Sequence, residues 1–456
     1  MSKKSLQSHP ALFVYAGVVA AAIVMLVAGK SPMESKMAMI GGPRLVSIEQ
    51  LPEMSTDSAM CQLVPASASS ALGALQAQAT VPAGATADGA RIVIERAPSR
   101  VIKDPYPTYS AVALDLVNGE IVLQDENLFQ IMVYDRNTNT PPTAAMSEPK
   151  RVIGGHHTKV EFNCGLYIDP KNGDIYSVNN DTLDTMTVFS REARGDVPPT
   201  REMETPHGTY GIAVDEKASE LFLTVQHASS VMVYPKYGEG KVKELRMIAG
   251  NKTGLADPHG VVVDSKNQNI FVVNYGNWAE YEVGKERGGG GGTGGLGRIP
   301  GSGKFFPPSI TAYPLKADGD IAPLRTIQGP KTQLNWPGHM FLDEEDGLIY
   351  VANDGGDSIL VFKVTDNGDV APTRVVKGPR TLIKNPTGIF VDKKNKEMVV
   401  ANMGNHSATV YPLYADGNVP PLRQIRGAPA DQPALQIGNP GAVAYDTKRN
   451  EILVPN

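Results

Sequence analysis

From about residue 91 onward, short runs that alternate apolar with polar residues are separated by turns rich in Gly, Asp, Asn and Pro. Such alternation marks β-strands with one face buried. It is plainest in GIAVDEKASELFLTVQHASSVMVYP (211–235), GHMFLDEEDGLIYVANDGGDSILVFK (338–363) and GIFVDKKNKEMVVANMGNHSATVYP (388–412). Each stretch predicts a strand ending in Asp, a polar turn, a second strand with a polar end, a loop, and a third strand ending in an aromatic residue. A fourth strand follows a Gly-containing turn, as in DGDIAPLRTIQG (318–329), NGDVAPTRVVKG (367–378) and DGNVPPLRQIRG (416–427). Four short antiparallel strands in about 50 residues form the unit of a β-propeller blade.

Counting predicts seven blades. The first-strand aspartate recurs as Asp115, Asp169, Asp215, Asp264, Asp343, Asp392 and Asp446. The polar end of the second strand recurs as Asp125, Asn179, Gln226, Asn274, Asn353, Asn402 and Asn456, and the fourth-strand arginine as Arg100, Arg151, Arg201, Arg246, Arg325, Arg374 and Arg423. The chain stops after two strands of its last unit, and RIVIERAPSRVIK (91–103) supplies the missing two, with APSRVIKD (97–104) nearly repeating APTRVVKG (371–378). The expectation is an all-β fold, a seven-bladed β-propeller closed by pairing of N- and C-terminal strands, which leaves no open edge. The repeated Asp, Asn and Arg are expected to serve the framework by bonding turns, filling loop entries and covering apolar surface.

The stretches IYVANDGGDSILVF, MVVANMGNHSATVYP and IFVVNYGN resemble the NHL and YVTN classes of bacterial propeller repeats over roughly residues 91–456. That resemblance implies the architecture and leaves the activity open, since such repeats occur in hydrolases, lyases and binding scaffolds.

The N-terminal part follows other rules. After Lys3 and Lys4, the run ALFVYAGVVAAAIVMLVAG (11–29) is unbroken, and at about 1.5 Å per residue it comes close to the roughly 30 Å of a bilayer core. Residues 1–30 are read as a cytoplasmic N-terminus and a transmembrane anchor, or a signal helix, with the rest exported. The protein is then membrane-anchored with its propeller extracytoplasmic (periplasmic or extracellular), or secreted if the helix is cleaved. Residues 31–89, which include the tract PASASSALGALQAQATVPAGATADGA, read as a low-complexity, disordered linker, and 90–456 as the propeller. With 456 residues, 46 Gly, 35 Pro and net charge -5, the composition excludes a long helical bundle and gives no basic footprint for a nucleic-acid partner. Two cysteines, Cys61 and Cys164, cannot build a disulfide scaffold or a four-thiolate zinc site.

Candidate chemistry gathers on one face, where first strands start and second strands end. His207, His259 and His339, from three successive blades, are candidate ligands for a divalent metal such as zinc, copper or calcium. No HxH or HExxH spacing accompanies them. Asp125, Cys164, Asn179, Tyr210, Gln226, His227, Asn274, Asn353, Asn402 and His406 are candidate ligand-binding residues of the channel face. A Gly-rich insertion, 275–308, lengthens the interval between Asp264 and Asp343, and its Trp278, Tyr281, Phe305 and Phe306 are candidates for a lid. The expected function is a membrane-tethered binding or scaffold module for a protein partner or an extracytoplasmic small ligand. A metal-dependent hydrolase or lyase with its site at the channel mouth is the alternative. The sequence holds no nucleophile elbow and no phosphate loop.

Overall fold

The structure, a computed structural model, describes residues 100–283, 296–299, 301–425 and 443–453, less 103, 105–108, 116, 126–127, 181, 406, 447 and 450. The predicted anchor and linker, 1–30 and 31–89, lie outside the described residues, as does Cys61. Among the described residues no helix is long and apolar enough to cross a membrane.

Each unit folds as the patterning requires. In the third, Thr209–Asp215, Glu220–Val225, Ser230–Pro235 and Arg246–Ile248 pair in order as one antiparallel sheet. The second strand is buried at every position, because neighbouring sheets cover both of its faces. Six such four-stranded blades, I to VI, occupy 109–154, 163–204, 209–248, 258–328, 337–377 and 386–425. The aromatic ends of their third strands, Tyr134, Phe189, Tyr234, Tyr313, Phe362 and Tyr411, are buried between the sheets. Parallel bridges such as Ile153 to Gly195 and Val376 to Gly417 join the outer strand of one blade to the next.

The described residues thus hold six complete blades rather than the expected seven. The last unit is a two-stranded sheet, Ala444–Asp446 with Glu451–Leu453, and most of the proposed partner segment 91–103 lies outside the described residues. The inner strands touch in chain order round a ring, and Ala444–Asp446 touches the inner strands of both blade VI and blade I. This is the arrangement of a β-propeller around a central channel.

The repeated polar residues serve this frame. All seven first-strand aspartates accept backbone N–H bonds from their own turns, for example Asp115 Oδ1 from Val117 and Asn118 at 3.0 and 2.9 Å, and Asp446 Oδ1 from Lys448 and Arg449 at 2.8 and 3.1 Å. The fourth-strand arginines reach the start of the second strand in the same sheet. Arg151 pairs in two-pronged fashion with Glu120 at 2.9 and 2.8 Å, Arg246 with Glu220 at 3.1 and 2.6 Å, and Arg423 likewise with Glu397. Arg201 and Arg374 donate instead to Tyr176 and Tyr350.

The base of the insertion in blade IV is ordered by strand pairing, Asn277–Trp278 with Lys304–Phe305 and Tyr281–Val283 with Leu296–Arg298. The insertion, expected as a candidate lid, is thus at its base a hairpin arm.

Candidate functional site

The second strands end in two successive residues with opposite fates. The first is buried and holds the loop that enters its blade. Asn179 Oδ1 accepts from Glu161 N at 3.0 Å while Nδ2 donates to Lys159 O at 2.9 Å. Asn353 does the same with Asn335 N and Gln333 O at 2.6 and 3.0 Å, and Asn274 and Asn402 accept from Ala256 N and Lys384 N. All four are wholly inaccessible, so their side chains latch loops and do not face the channel, and Asp125 is equally buried, accepting from Gln130 Nε2 at 3.4 Å. In blade III this position is Val225, opposite Ser230 as Asn274 is opposite Ser309. Gln226 therefore belongs one place further on, in register with Asn180, Tyr275, Asp354 and Met403.

That second position carries the site, because a side chain just past the strand end turns toward the channel mouth. Asn180 Nδ2 donates to Gln226 Oε1 at 3.3 Å, and Gln226 Nε2 donates to His259 Nε2 at 2.7 Å. His259 Nδ1 in turn donates to the Asp257 carbonyl at 3.1 Å, which fixes one neutral tautomer. Burial holds its pKa below the ordinary imidazole value, against the raising effect of the Asp257 carboxylate. The His259 ring lies flat on Tyr275, with centroids 3.6 Å apart and planes at 15°, and Tyr210 closes on it at 4.8 Å. Tyr275 meets Trp336 at 5.3 Å. Four rings from blades III to V thus form one continuous ladder.

The backbone beneath this ladder is tightly set. Thr224 Oγ1 accepts from Gly211 N and donates to the His259 carbonyl, at 2.8 and 2.7 Å, and a Cβ on Gly211 would lie 2.4 Å from that carbonyl oxygen. Trp336 sits at φ 50, just before Pro337, where blades IV and VI place Asp257 at φ 54 and Asn385 at φ 42 before Pro258 and Pro386. Asp and Asn tolerate the left-handed region, whereas a bulky ring there stores strain. Nevertheless Trp336 is held 50% exposed.

Three rings of the ladder, His259, Tyr275 and Trp336, line a cleft of about 740 Å³, within the usual range for ligand sites. Asn277, Trp278, Lys304 and Phe305 of the hairpin arm line it as well. Lys304 Nζ stands 5.6 Å from the centre of the Trp278 ring, its cross-strand neighbour, and Phe306 tilts against that ring at 5.2 Å. Asn277 Nδ2 donates to Asp257 Oδ2 at 2.9 Å across the floor. Both tryptophans of the chain, Trp278 and Trp336, line this cleft.

The fold has relatives among solved structures. A chain of Kuenenia stuttgartiensis hydrazine synthase matches with a TM-score of 0.52 at 11% sequence identity, covering 79% of this chain and 98% of that one. At that identity the likeness concerns the propeller fold alone. No family model matches the sequence, and no curated protein is similar to it. The resemblance to NHL and YVTN repeats thus rests on the repeat motifs.

Of the histidines expected to approach a metal, His259 is bonded as above. His339 occupies a register that is glycine in four blades, Gly165, Gly211, Gly260 and Gly388. Its imidazole is open to water yet surrounded by protein, as a channel-lining group is, and that enclosure lowers its pKa, with His259 adding to the effect. His207 lies to one side, with Nδ1 3.0 Å from Asp184 Oδ1 and its ring 4.9 Å from that of His227, which also lines the cleft. Among the described residues no group of three or more His, Cys, Asp or Glu side chains is placed to hold a metal ion. Cys164, half-buried, shares the register of Tyr210 and His259 in blade II. His406 and the side chain of Tyr281 lie outside the described residues. Sequence reasoning missed Tyr275, Trp336, Asp257, Asn277 and Lys304. The signal for Tyr275 was its place directly after the buried Asn274.

Proposed function

We propose that this chain is a membrane-tethered, extracytoplasmic binding module that takes its ligand in the cleft at the channel mouth. One observation carries the reading: the contiguous rings His259, Tyr275 and Trp336, backed by Tyr210, line an open cleft, while the repeated polar residues of the blades are spent on turns, latches and seams. A ring-lined concave surface with a few placed polar groups is what a rigid scaffold offers a ligand. The tether is argued from the apolar run 11–29 behind Lys3 and Lys4. Neutral, hydrogen-bonded His259 favours recognition over metal-assisted hydrolysis, since Gln226 already uses its Nε2 lone pair.

The disc that presents this face is a ring of seven, its last blade completed by residues 91–103. The support is one ion pair: Arg100 meets Glu451 as Arg151 meets Glu120 and Arg423 meets Glu397, so the N-terminal arginine takes the fourth-strand place beside the C-terminal strands.

Both tryptophans line the cleft, so their emission reports its occupancy. Full-length protein in detergent, titrated with the small-molecule extract of the producing organism, should show a saturable emission change that Tyr275→Leu and Trp336→Asn abolish. An emission unaffected by the extract, or a change that both variants retain, would defeat the reading. For the tether, full-length protein should stay in the membrane pellet through a high-salt wash; release by salt would contradict an integral anchor.

A further inference from the structure

Resting on the reading of the cleft as a binding site, we infer that its ligand is a neutral glycan whose sugar ring lies on Trp336 with its hydroxyl rim toward Asp257 and Asn277. A pyranose has one face of C–H groups and an equatorial rim of hydroxyls. The C–H face is weakly positive and sits well on the negative face of an aromatic ring, while the hydroxyls both give and accept hydrogen bonds.

The cleft supplies both halves. Trp336 is half-exposed and inclined at 30° to Tyr275, a platform held at a strained φ that Asp and Asn occupy without cost in the neighbouring blades. In the same cleft Asp257 and Asn277 bond one another at 2.9 Å, and the carboxylate and the amide oxygen retain lone pairs for hydroxyl donors.

Charge argues against ionic ligands. Among the residues that line the cleft, Asp257 and Lys304 are one acid and one base, and both His259 ring nitrogens are already hydrogen-bonded, so the lining offers no excess of formal charge to an anion or a cation. The cation site on the Trp278 face is already taken by Lys304. A flat heteroaromatic would stack equally well, but it would leave Asp257 and Asn277 facing an edge with few hydrogen-bond donors, and a site built with such groups rejects ligands that cannot answer them. At about 740 Å³ and open along one side, the cleft has room for a short oligosaccharide.

The test is tryptophan emission of full-length protein in detergent with neutral hexasaccharides (maltohexaose, cellohexaose and chitin hexasaccharide), against polygalacturonate, chitosan hexamer and caffeine. At least one neutral hexasaccharide should give a saturable change below about 5 mM, and Trp336→Asn should weaken it tenfold or more. Asp257→Asn keeps the ring platform and should weaken binding less. Trp336→Asn carries the residue type that blade VI uses in this place, and circular dichroism matching the parent shows that it folds. No saturable response to any neutral hexasaccharide, saturation by caffeine or a charged probe alone, or unchanged affinity in Trp336→Asn overturns the glycan assignment. If the organism's extract still shifts the emission in those cases, the cleft stands as a site for another ligand class. If it does not, both readings fall together.

Discussion

Arg136, directly after the third strand of blade I, is ion-paired with Asp446 at the end of the last described inner strand, and both side chains are 1% exposed. The same geometry recurs round the ring: Arg191 in blade II reaches Asp115 of blade I at 3.5 Å, and Lys236 in blade III reaches Asp169 of blade II at 2.7 Å. In each case a cation following the third strand meets the first-strand aspartate of the preceding blade. By that rule the sheet holding Asp446 stands before blade I, and it is where the two ends of the described chain meet. Removing one partner of a buried pair strands the other charge and costs about 3–5 kcal/mol. Arg136→Met and Asp446→Asn should each lower the urea midpoint by an amount worth about 3 kcal/mol. The double variant should lose less than the sum of the two, whereas simple additivity would show that the pair is not coupled.

Glu120 makes stability depend on acid. Its hydrogen bond with Arg151 holds the carboxyl at about 2, down from an ordinary 4.5, against the opposing effect of burial, with Lys150 contributing further. A depressed carboxyl adds stability above its unfolded pKa and loses it as the pH falls through the folded value. About 3 kcal/mol is therefore present at pH 7 and disappears between roughly pH 4.5 and 2. Glu120→Gln should be destabilised at pH 7 and show a shallower fall in denaturation midpoint over that interval. A parallel pH profile would remove Glu120 from the account.

Strain at Trp336 separates stability from binding. Left-handed backbone in a bulky residue costs on the order of 1–3 kcal/mol, and the ring contact with Tyr275 returns about 0.5–1.5 kcal/mol. Trp336→Asn should leave the denaturation midpoint unchanged or raise it by up to about 1 kcal/mol while removing the ligand response. A large loss of stability would make Trp336 a packing residue.

The bonded state of His259 bears on metal. With Gln226 donating to Nε2 and Nδ1 bonded to the Asp257 carbonyl, neither ring nitrogen points outward. Tag-free protein after dialysis should contain less than one equivalent of zinc, copper or calcium, and EDTA should leave the melting temperature unaltered. One equivalent of metal, lost on replacing His259 and His339, would favour the hydrolase or lyase reading.

Strand order, turn aspartates and outer-strand arginines were legible because each follows from a local pattern repeated many times. Asn179, Asn274, Asn353 and Asn402 were read both as framework residues filling loop entries and as candidate ligand-binding residues, and the latches bear out the first role; alternation could not choose between the two, since it cannot tell the last paired residue, which is buried, from the next, which is free to turn outward. The same ambiguity of one residue put Gln226 in the place of Val225. Trp336 and Asp257 were missed because their importance comes from a backbone conformation before proline, which no hydrophobic period records. The hairpin pairing of Asn277–Trp278 with Lys304–Phe305 spans a glycine tract that carries no alternation, so composition pointed to a loop.

The most direct test of the cleft is hydrogen–deuterium exchange on full-length protein with and without the organism's small-molecule extract. Protection should concentrate at residues 226–227, 257–259, 275–278, 304–305 and 336, while the turns at 117–119, 217–219 and 345–347 on the opposite face exchange as before. Protection at those turns, with the cleft segments unaffected, would contradict the account.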